Sequence, residues 1–394
     1  MKKPVVVVVV GTRPGAIKSM PVYLALKKAG VPTVLCATFQ HEGLLQKVFD
    51  LFDVEPDIKL NIMKKDQDLF YLTTTILEKL KVVFQELNPD LVLVHGDTTT
   101  AFTAALAAFY LKIPIGHMEA GLRTGDKYSP FPEEINRKFI SHIATYHFAP
   151  TALNVGNLLA EGIDREGIFC TGNVIVDALT MIRQRIESNS IKLDQSIQEK
   201  LAYCKKMNLK PILLTAHRRE SFDGGLTRIF TTVKKFAQQH PDLFVFYPFH
   251  PNPNVLAALE SSGIKELENI YCCPPLEYTD LIYLILSVDW VMTDSGGIQE
   301  EAISVGKKVL ILRDITERIE GVWEGHAELV GTDEKRITHG MTMYYNAPLQ
   351  KMTPTFIYGD GNASQRIVTM IKTTILRYDN KEKKCSEKNN NMVP

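Results

Sequence analysis

The sequence has no excess of charge of either sign and no long apolar run. Its 45 lysines and arginines balance 45 aspartates and glutamates, so the formal net charge at pH 7 is zero. This balance excludes a broad electrostatic field of the kind that binds nucleic acid or an acidic membrane surface. The apolar run Val5–Val10 is far shorter than the ~18 residues of a membrane span. A buried parallel strand explains it better than a signal peptide, and we expect a cytoplasmic protein.

Cysteine is also sparse and unpatterned. The six cysteines show no CxxC spacing, so we expect free thiols in a reducing compartment rather than a disulfide scaffold or a zinc ribbon. Asp66-Gln67-Asp68 matches a DxD metal motif. It precedes a helical pattern that begins near Leu69, however, and helix capping is the better interpretation. We expect neither a metal nor a cofactor.

What the sequence does contain is a repeated alternation of strands and helices. Its 394 residues are typical of two domains or of one large one. The predicted strands are Val5–Val10, Thr33–Thr38, Leu91–His95, Ile113–His117 and Tyr146–Ala149, then Ile212–Thr215, Phe244–Pro248, Ile270–Cys272, Trp290–Thr293 and Val309–Leu312. The predicted helices of the first half are Ala16–Ala29, Leu69–Leu87, Thr99–Leu111 and Glu133–Ala144. Strands that are apolar on both faces and separated by helices indicate parallel sheets. The predicted fold class is α/β, with two doubly wound, Rossmann-like domains facing a cleft.

The polar stretch 183–210, rich in Lys, Gln, Ser and Asn, is the best candidate for the connection between the domains. In doubly wound sheets, ligands bind at the carboxyl ends of the strands. The residues that follow each predicted strand therefore decide the function.

The first strand is followed by Gly11-Thr12-Arg13-Pro14-Gly15-Ala16-Ile17-Lys18. The exposed N–H groups of a helix that starts near Pro14, together with Arg13 and Lys18, suit an anion. An ordinary strand–turn–helix with solvated basic residues explains the same pattern, because this is neither a GxGxxG motif nor a P-loop.

Carboxylates follow the next strands. Asp97 comes directly after a strand and before a helix, where it either acts in a site or merely caps the helix. Glu119 also follows a strand and is harder to explain as a cap. Glu133 and Glu134 suit the dipole of the helix they begin, and Glu133 with Arg137 forms either part of a site or a modest surface pair.

In the second half, His217 follows a strand within His217-Arg218-Arg219, a cationic cluster that suits phosphate. Asp294-Ser295-Gly296-Gly297 opens a helix, so that bare N–H groups are available to a phosphate, and Glu301 lies one turn into that helix. Arg318 follows the next strand. Each pattern alone has a structural explanation. Together they place charged or glycine-rich groups at nearly every strand end.

These motifs resemble those of the non-hydrolysing UDP-N-acetylglucosamine 2-epimerases. The resemblance covers about residues 5–375 in order and spacing. It rests on Gly11–Lys18, His95–Thr100, His117–Thr124, Pro132–Arg137, Thr215–Glu220, Asp294–Glu301 and Tyr358-Gly359-Asp360-Gly361.

The resemblance implies a glycosyltransferase-B-like fold with an N-terminal Rossmann-like domain at 1–175 and a C-terminal, UDP-binding domain at 176–362. A helix at about 363–378 is expected to pack back on the first domain, and 379–394 is expected to be a disordered tail. The implied protein is a bacterial or archaeal homodimer that binds no nucleic acid and no membrane.

The implied reaction is the reversible conversion of UDP-N-acetylglucosamine to UDP-N-acetylmannosamine for surface polysaccharide. It proceeds by elimination of UDP to a 2-acetamidoglucal and its re-addition. By similarity, Asp97 and Glu119 move protons, Glu133 tunes or relays, and His217 acts with Arg13 and Lys18 on the diphosphate. The remaining implied substrate-binding residues are Arg137, Ser295, Gly296, Gly297, Glu301 and Arg318.

Many bacterial family members are activated by a second molecule of substrate. Gln40-His41 and Gln46 resemble part of that region, but Asp66 stands where an Arg is typical, and an Asp cannot bind phosphate as an Arg does. We therefore expect weak, absent or differently built activation.

Other functions stay open at this point. A 2-epimerase of a modified sugar, such as UDP-2,3-diacetamido-glucuronic acid, shares these motifs. A hydrolysing epimerase usually has a different first motif, and a glycosyltransferase does not require all three carboxylate motifs. A non-catalytic nucleotide-sugar sensor needs only the UDP-binding half.

Overall fold

The computed structural model describes residues 5–39, 42–64, 67–347 and 353–375. The chain divides into two compact units. The first comprises the residues up to Ala178 and those from Gly359 onward, and the second comprises Leu179–Tyr358.

The first unit is built on a parallel sheet of seven described strands in the order β3-β2-β1-β4-β5-β6-β7. Helices cover this sheet, and all residues of the central strand β1 are buried. The strands are β1 (Val6–Val10), β2 (Thr33–Ala37), β3 (Ile58–Lys59), β4 (Leu91–His95), β5 (Ile115–Met118), β6 (Tyr146–Ala149) and β7 (Ile168–Cys170).

The helices of this unit are α1 (Arg13–Lys28), α2 (Glu42–Leu51), α3 (Leu69–Leu87), α4 (Thr99–Tyr110), α5 (Glu133–Ile143), α6 (Ala152–Ala160) and α15 (Ala363–Met370), with a π-helical turn at Ile371–Ile375. Helix α1 begins at Arg13, earlier than the helical pattern at Ala16 but next to Pro14, near which the motif predicts the start. The Thr12 hydroxyl accepts a hydrogen bond from the Gly15 N–H, and Pro14 suits the first turn. Helix α15 packs against α1.

The second unit has a parallel sheet of six described strands in the order β10-β9-β8-β11-β12-β13. They are β8 (Lys210–Thr215), β9 (Leu243–Pro248), β10 (Ile270–Cys273), β11 (Trp290–Thr293), β12 (Lys308–Ile311) and β13 (Ala327–Leu329). The helices are α8 (Gln195–Met207), α9 (Gly225–Gln239), α10 (Pro253–Ser262), α11 (Tyr278–Ser287), α12 (Gly296–Ser304), α13 (Ile319–Trp323) and α14 (Glu334–Asn346). The predicted class, two Rossmann-like α/β units with parallel sheets, is confirmed.

The connection between the units differs from the polar stretch that composition predicts. The chain passes from the first unit to the second between Ala178 and Leu179, inside the continuous helix α7 (Val174–Glu187). The polar stretch 183–210 lies within the second unit instead. Most of its charged residues lie on α7 and α8 and are exposed.

Each sheet has one position at which the strand order reverses. In the first unit this position lies between β1 and β4, and in the second between β8 and β11. Ligands of doubly wound sheets bind beyond the carboxyl ends of strands at such a position. The loops after β1 and β4, and those after β8 and β11, are therefore where each unit is expected to hold its functional side chains.

Candidate active site

The loop after β1 comes very close to helix α4. A Cβ on Gly11 would lie 2.2 Å from the Thr100 hydroxyl oxygen, so only glycine fits. This close approach fixes the start of α1, whose first residue is Arg13. Arg13 is partly exposed there, whereas Lys18, one turn further along, is only 7% exposed.

Glu119 directly follows β5 and is the most constrained of the candidate carboxylates. Its backbone φ is 64°, in the left-handed region that residues other than glycine rarely adopt. Lys18 forms an ion pair with its Oε1 atom. Asn173 donates a hydrogen bond from Nδ2 to the same oxygen over 3.1 Å. Backbone strain held in place by buried polar contacts is typical of functional sites.

Asp97 follows β4 and lies against helix α5. The Arg137 guanidinium donates to Asp97 Oδ2 from Nε over 3.0 Å and also from Nη2. The Asn136 side chain donates to the Asp97 carbonyl oxygen over 2.9 Å. Arg137 is 3% exposed, so the interpretation of Arg137 as half of a surface pair is wrong. It is a buried cation that holds Asp97.

Glu134 also differs from the sequence interpretation, which assigned it to the helix dipole. Its side chain is fully buried and accepts hydrogen bonds from the backbone N–H groups of Thr124 (3.1 Å) and Gly125 (3.2 Å). It also lies 3.2 Å from Arg137 Nη1. Glu134 therefore anchors both the 124–125 loop and the cation that holds Asp97. Glu133, the first residue of α5, is half-buried.

The neighbouring histidine His117 has a structural role. Its Nε2 atom donates to the carbonyl oxygen of Gly96 over 2.8 Å. Burial lowers the pKa of His117 to about 3, so the ring is neutral at physiological pH. It joins the loop after β4 to the end of β5 and does not supply a titrating group.

In the second unit, the loops after β8 and β11 are joined by a buried carboxylate. Asp294 Oδ2 accepts the backbone N–H groups of His217 and Arg218, the second over 2.7 Å. The His217 ring lies parallel to the His250 ring, with 5.6 Å between the ring centroids. His217 is partly exposed, so its imidazole is available to a ligand.

Helix α12 begins at Gly296 with Ser295 as its N-cap residue. A Cβ on Gly296 would lie 2.7 Å from the Arg318 guanidinium, whereas a Cβ on Gly297 would meet no atom within 4 Å. Arg318 is therefore packed directly against the first turn, and open space adjoins Gly297. A helix N-terminus beside an arginine is a favourable place for phosphate.

Ion pairs fix Arg318 in this position. It donates from Nε to Glu300 Oε1 over 3.0 Å and contacts Glu317 through Nη1. The buried Tyr358 hydroxyl donates to the Arg318 carbonyl oxygen over 3.1 Å. Glu301 is buried and accepts a hydrogen bond from Tyr278 over 2.7 Å.

The remaining motif residues are distributed as follows. Asp68 caps α3 by accepting the Tyr71 N–H over 2.7 Å, which confirms the capping interpretation for this residue. Asp66, Gln40 and His41 lie outside the described residues, as does the predicted tail 379–394.

Among the described residues, no group of three His, Cys, Asp or Glu side chains is arranged to hold a metal ion. The same residues include no helix with the length and apolar character needed to cross a membrane.

Three residues of this arrangement were missed by the sequence analysis: Glu134, Asn173 and Asp294. Glu134 and Asp294 belong to the motifs at Pro132–Arg137 and Asp294–Glu301, but their roles depend on backbone groups of another loop. Asn173 belongs to none of the motifs. Its Oδ1 accepts the Ile175 N–H over 3.1 Å, so from the sequence it resembles an ordinary helix cap.

Comparison with known proteins finds similarity along nearly the whole chain. A family model described as UDP-N-acetylglucosamine 2-epimerase matches residues 24–372. The UDP-N-acetylglucosamine 2-epimerase of Yersinia pestis is 45% identical over 374 residues, which cover 93% of this chain and 98% of that protein.

Two solved structures are similar as well. The UDP-GlcNAc 2-epimerase from Neisseria meningitidis, bound to UDP-GlcNAc, has a TM-score of 0.86 and 41% identity, with coverage of 94% of this chain and 100% of that one. The Methanocaldococcus jannaschii UDP-GlcNAc 2-epimerase, in complex with UDP-GlcNAc and UDP, has a TM-score of 0.81 and 31% identity, with coverage of 93% and 99%.

Proposed function

The chain belongs to the UDP-N-acetylglucosamine 2-epimerase family and is an isomerase, and we propose that it interconverts UDP-N-acetylglucosamine and UDP-N-acetylmannosamine. The proposal rests chiefly on Glu119, a buried carboxylate with a strained backbone that Lys18 and Asn173 hold in place. This is the arrangement expected of a positioned proton acceptor. The Neisseria and Methanocaldococcus relatives, bound to UDP-GlcNAc, support the choice of substrate.

The chemistry of the substrate determines the mechanism. The hydrogen on sugar C2 has no adjacent carbonyl group, so its direct removal as a proton would leave an unstabilised carbanion. We propose that the C1–O bond to UDP breaks as the C2 proton is removed, which gives 2-acetamidoglucal and free UDP. A proton then returns to the opposite face of C2, and UDP adds back at C1. Atoms and charge balance over the two halves without a redox step.

The first unit supplies the proton transfers in this proposal. Lys18 and the Asn173 amide both contact the Glu119 carboxylate, and Arg137 contacts the carboxylate of Asp97. Two carboxylates held in place by different partners suit removal and return of a proton on two faces of C2. Glu133, at the start of α5, tunes the proton-transferring carboxylates or relays the proton.

The second unit holds UDP in this proposal. Ser295, Gly296 and Gly297 offer the N–H groups of the α12 N-terminus to the diphosphate. Arg318, fixed against Gly296, adds positive charge. Glu301 accepts from ribose hydroxyls, and His217 stabilises the diphosphate as it leaves. Arg13 of the first unit is a further cation for this anionic ligand.

The biological context is also a proposal. We infer that the product supplies surface polysaccharide synthesis and that the protein is a homodimer, as the family resemblance implies. Sedimentation velocity of the purified chain tests the second point, since a single species at about twice the monomer mass of 44.3 kDa is expected.

Proton NMR in D2O tests the activity. With UDP-N-acetylglucosamine and the purified protein, without added metal or nicotinamide, we expect UDP-N-acetylmannosamine to grow in and deuterium to appear at C2. Glu119→Gln should bind UDP normally but lose about 100-fold or more of turnover. Glu55→Gln is the matched control, because Glu55 is an exposed residue paired with Lys59. If the spectrum stays unchanged while UDP binds, the proposed substrate is wrong.

A further inference from the structure

Asp294 is a buried carboxylate whose two oxygens have different surroundings. The residue is 0% exposed. Its Oδ2 atom accepts the backbone N–H groups of His217 and Arg218. Its Oδ1 atom has no hydrogen-bond donor among the described residues, and a buried acceptor left in that state is costly.

The group that faces this oxygen is the His217 ring. Oδ1 lies 3.4 Å from His217 Nδ1, slightly beyond the usual hydrogen-bond length. A proton on Nδ1 supplies the donor that Oδ1 lacks, whereas a bare Nδ1 would place two acceptors against each other.

We propose that Asp294 is a positioning residue that keeps a proton on His217 Nδ1, so that Nε2 is the nitrogen available to the leaving diphosphate. This inference rests on the proposed function of His217. When Nε2 carries a proton, it donates a hydrogen bond to the diphosphate, and the Asp294 carboxylate balances the charge of the imidazolium.

The stacked ring of His250 is consistent with this assignment. Burial and the nearby His217 lower the pKa of His250, although Asp294 opposes that shift. The lowered pKa makes His250 the harder of the two rings to regard as the partner of Asp294, and His217 is the ring whose Nδ1 faces the carboxylate.

The frame around Asp294 does not depend on His217. Thr293 and Thr215 are register partners on β11 and β8, and their hydroxyls are hydrogen-bonded over 2.6 Å. The Thr293 hydroxyl also accepts the Ser295 N–H over 3.0 Å. A substitution that only exchanges an oxygen of Asp294 for an amide nitrogen should leave this frame intact.

Asp294→Asn is therefore the informative variant. Its amide oxygen can still accept the two backbone N–H groups, but its NH2 group then faces His217 Nδ1 and requires that nitrogen to be an acceptor. Long-range 1H–15N NMR of the ligand-free, 15N-histidine-labelled protein distinguishes the two tautomers, and His217→Gln identifies the signals. We expect the Nδ1–H tautomer in the wild type and Nε2–H in Asp294→Asn. Nε2–H in the wild type, or one tautomer in both proteins, would overturn the proposal.

The kinetic test separates positioning from a general structural effect. Asp294→Asn should lower kcat by about 100-fold or more, with a much smaller change in KM. In a His217→Gln background, Asp294→Asn should cause no further loss of kcat, because it acts through the His217 ring. If the factors by which the two substitutions lower kcat multiply in the double variant, the proposal is contradicted.

Asp280→Asn is the matched control. Asp280 is a buried aspartate of the same unit whose Oδ1 accepts the Asp194 N–H over 2.7 Å. It should leave the His217 tautomer and kcat unchanged. The wild-type tautomer is measured without substrate, so Nε2–H in the wild type overturns the proposal even if the variant fails to fold. The same measurement applies if the wild type fails to epimerise, so failure of this proposal and failure of the proposed function can be told apart.

Discussion

Asn173→Asp replaces the donor that faces Glu119 with a second carboxylate and hardly changes the shape of the side chain. One oxygen of the new side chain can still accept the Ile175 N–H, as Asn173 Oδ1 does over 3.1 Å. The other oxygen then lies about 3.1 Å from Glu119 Oε1, where the amide now donates. At an effective dielectric constant of about 20, two unit charges at that distance repel by roughly 5 kcal/mol.

The ion pair with Lys18 offsets part of this repulsion, and uptake of a single proton by the carboxylate pair removes the rest. We therefore expect the variant to take up this shared proton at a higher pH than the wild type protonates its base. The acid limb of the profile of log(kcat/KM) against pH should move upward by at least about one unit, since 1.36 kcal/mol corresponds to one unit. Activity should fall at pH values below the displaced limb and recover in alkaline buffer.

The matched control is Asn252→Asp, the same change at another helix cap. Asn252 accepts the Asn254 N–H at the start of α10 in the second unit. The profile of log(kcat/KM) against pH of Asn252→Asp should superimpose on that of the wild type. If the profile of Asn173→Asp also superimposes on it, at an unchanged melting temperature, Glu119 is not the base.

Three further substitutions test diphosphate binding at the N-terminus of α12 and the buried ion pair between Glu134 and Arg137. Gly297→Ala should leave the melting temperature unchanged or slightly higher, since space is open there, but it should weaken UDP binding, measured by calorimetry, at least about tenfold because the diphosphate approaches this backbone. Gly296→Ala should in addition displace Arg318. Equal UDP affinity for both variants and the wild type would contradict diphosphate binding at the N-terminus of α12. Glu134→Gln leaves buried Arg137 without one of its carboxylates and should lower the free energy of unfolding in urea by about 3 kcal/mol, so a loss below 1 kcal/mol would show that this ion pair is unimportant.

The fold was largely predictable because parallel strands and their helices have strong hydrophobic patterns. Helix α3 and strands β4, β6 and β11 coincide with the predicted bounds. The short edge strands β3, β7 and β13 were missed, since two or three residues contain no periodicity. Composition placed the passage between the units in the polar stretch 183–210 rather than near Ala178 in α7, because a continuous helix has no Pro or Gly signal.

The candidate site was predictable in its residues more than in their contacts. The sequence grouped Asp97 and Glu119 by their positions after adjacent strands, and β4 and β5 are neighbours in the sheet. It could not place Lys18 on Glu119, because that ion pair joins residues 101 positions apart. The partners that hold ionised side chains come from other loops, and only tertiary structure brings them together.

The central claim is that inversion at C2 proceeds by loss and return of UDP. It is tested most directly with UDP-N-acetylglucosamine labelled with 18O at the oxygen that bridges C1 and the diphosphate. If the C1–O bond breaks, the freed terminal phosphate of UDP can rotate before it adds back, and 31P NMR of the recovered sugar nucleotides should show the label in non-bridging positions. Full conversion to the epimer with the label retained at the bridge would contradict the account.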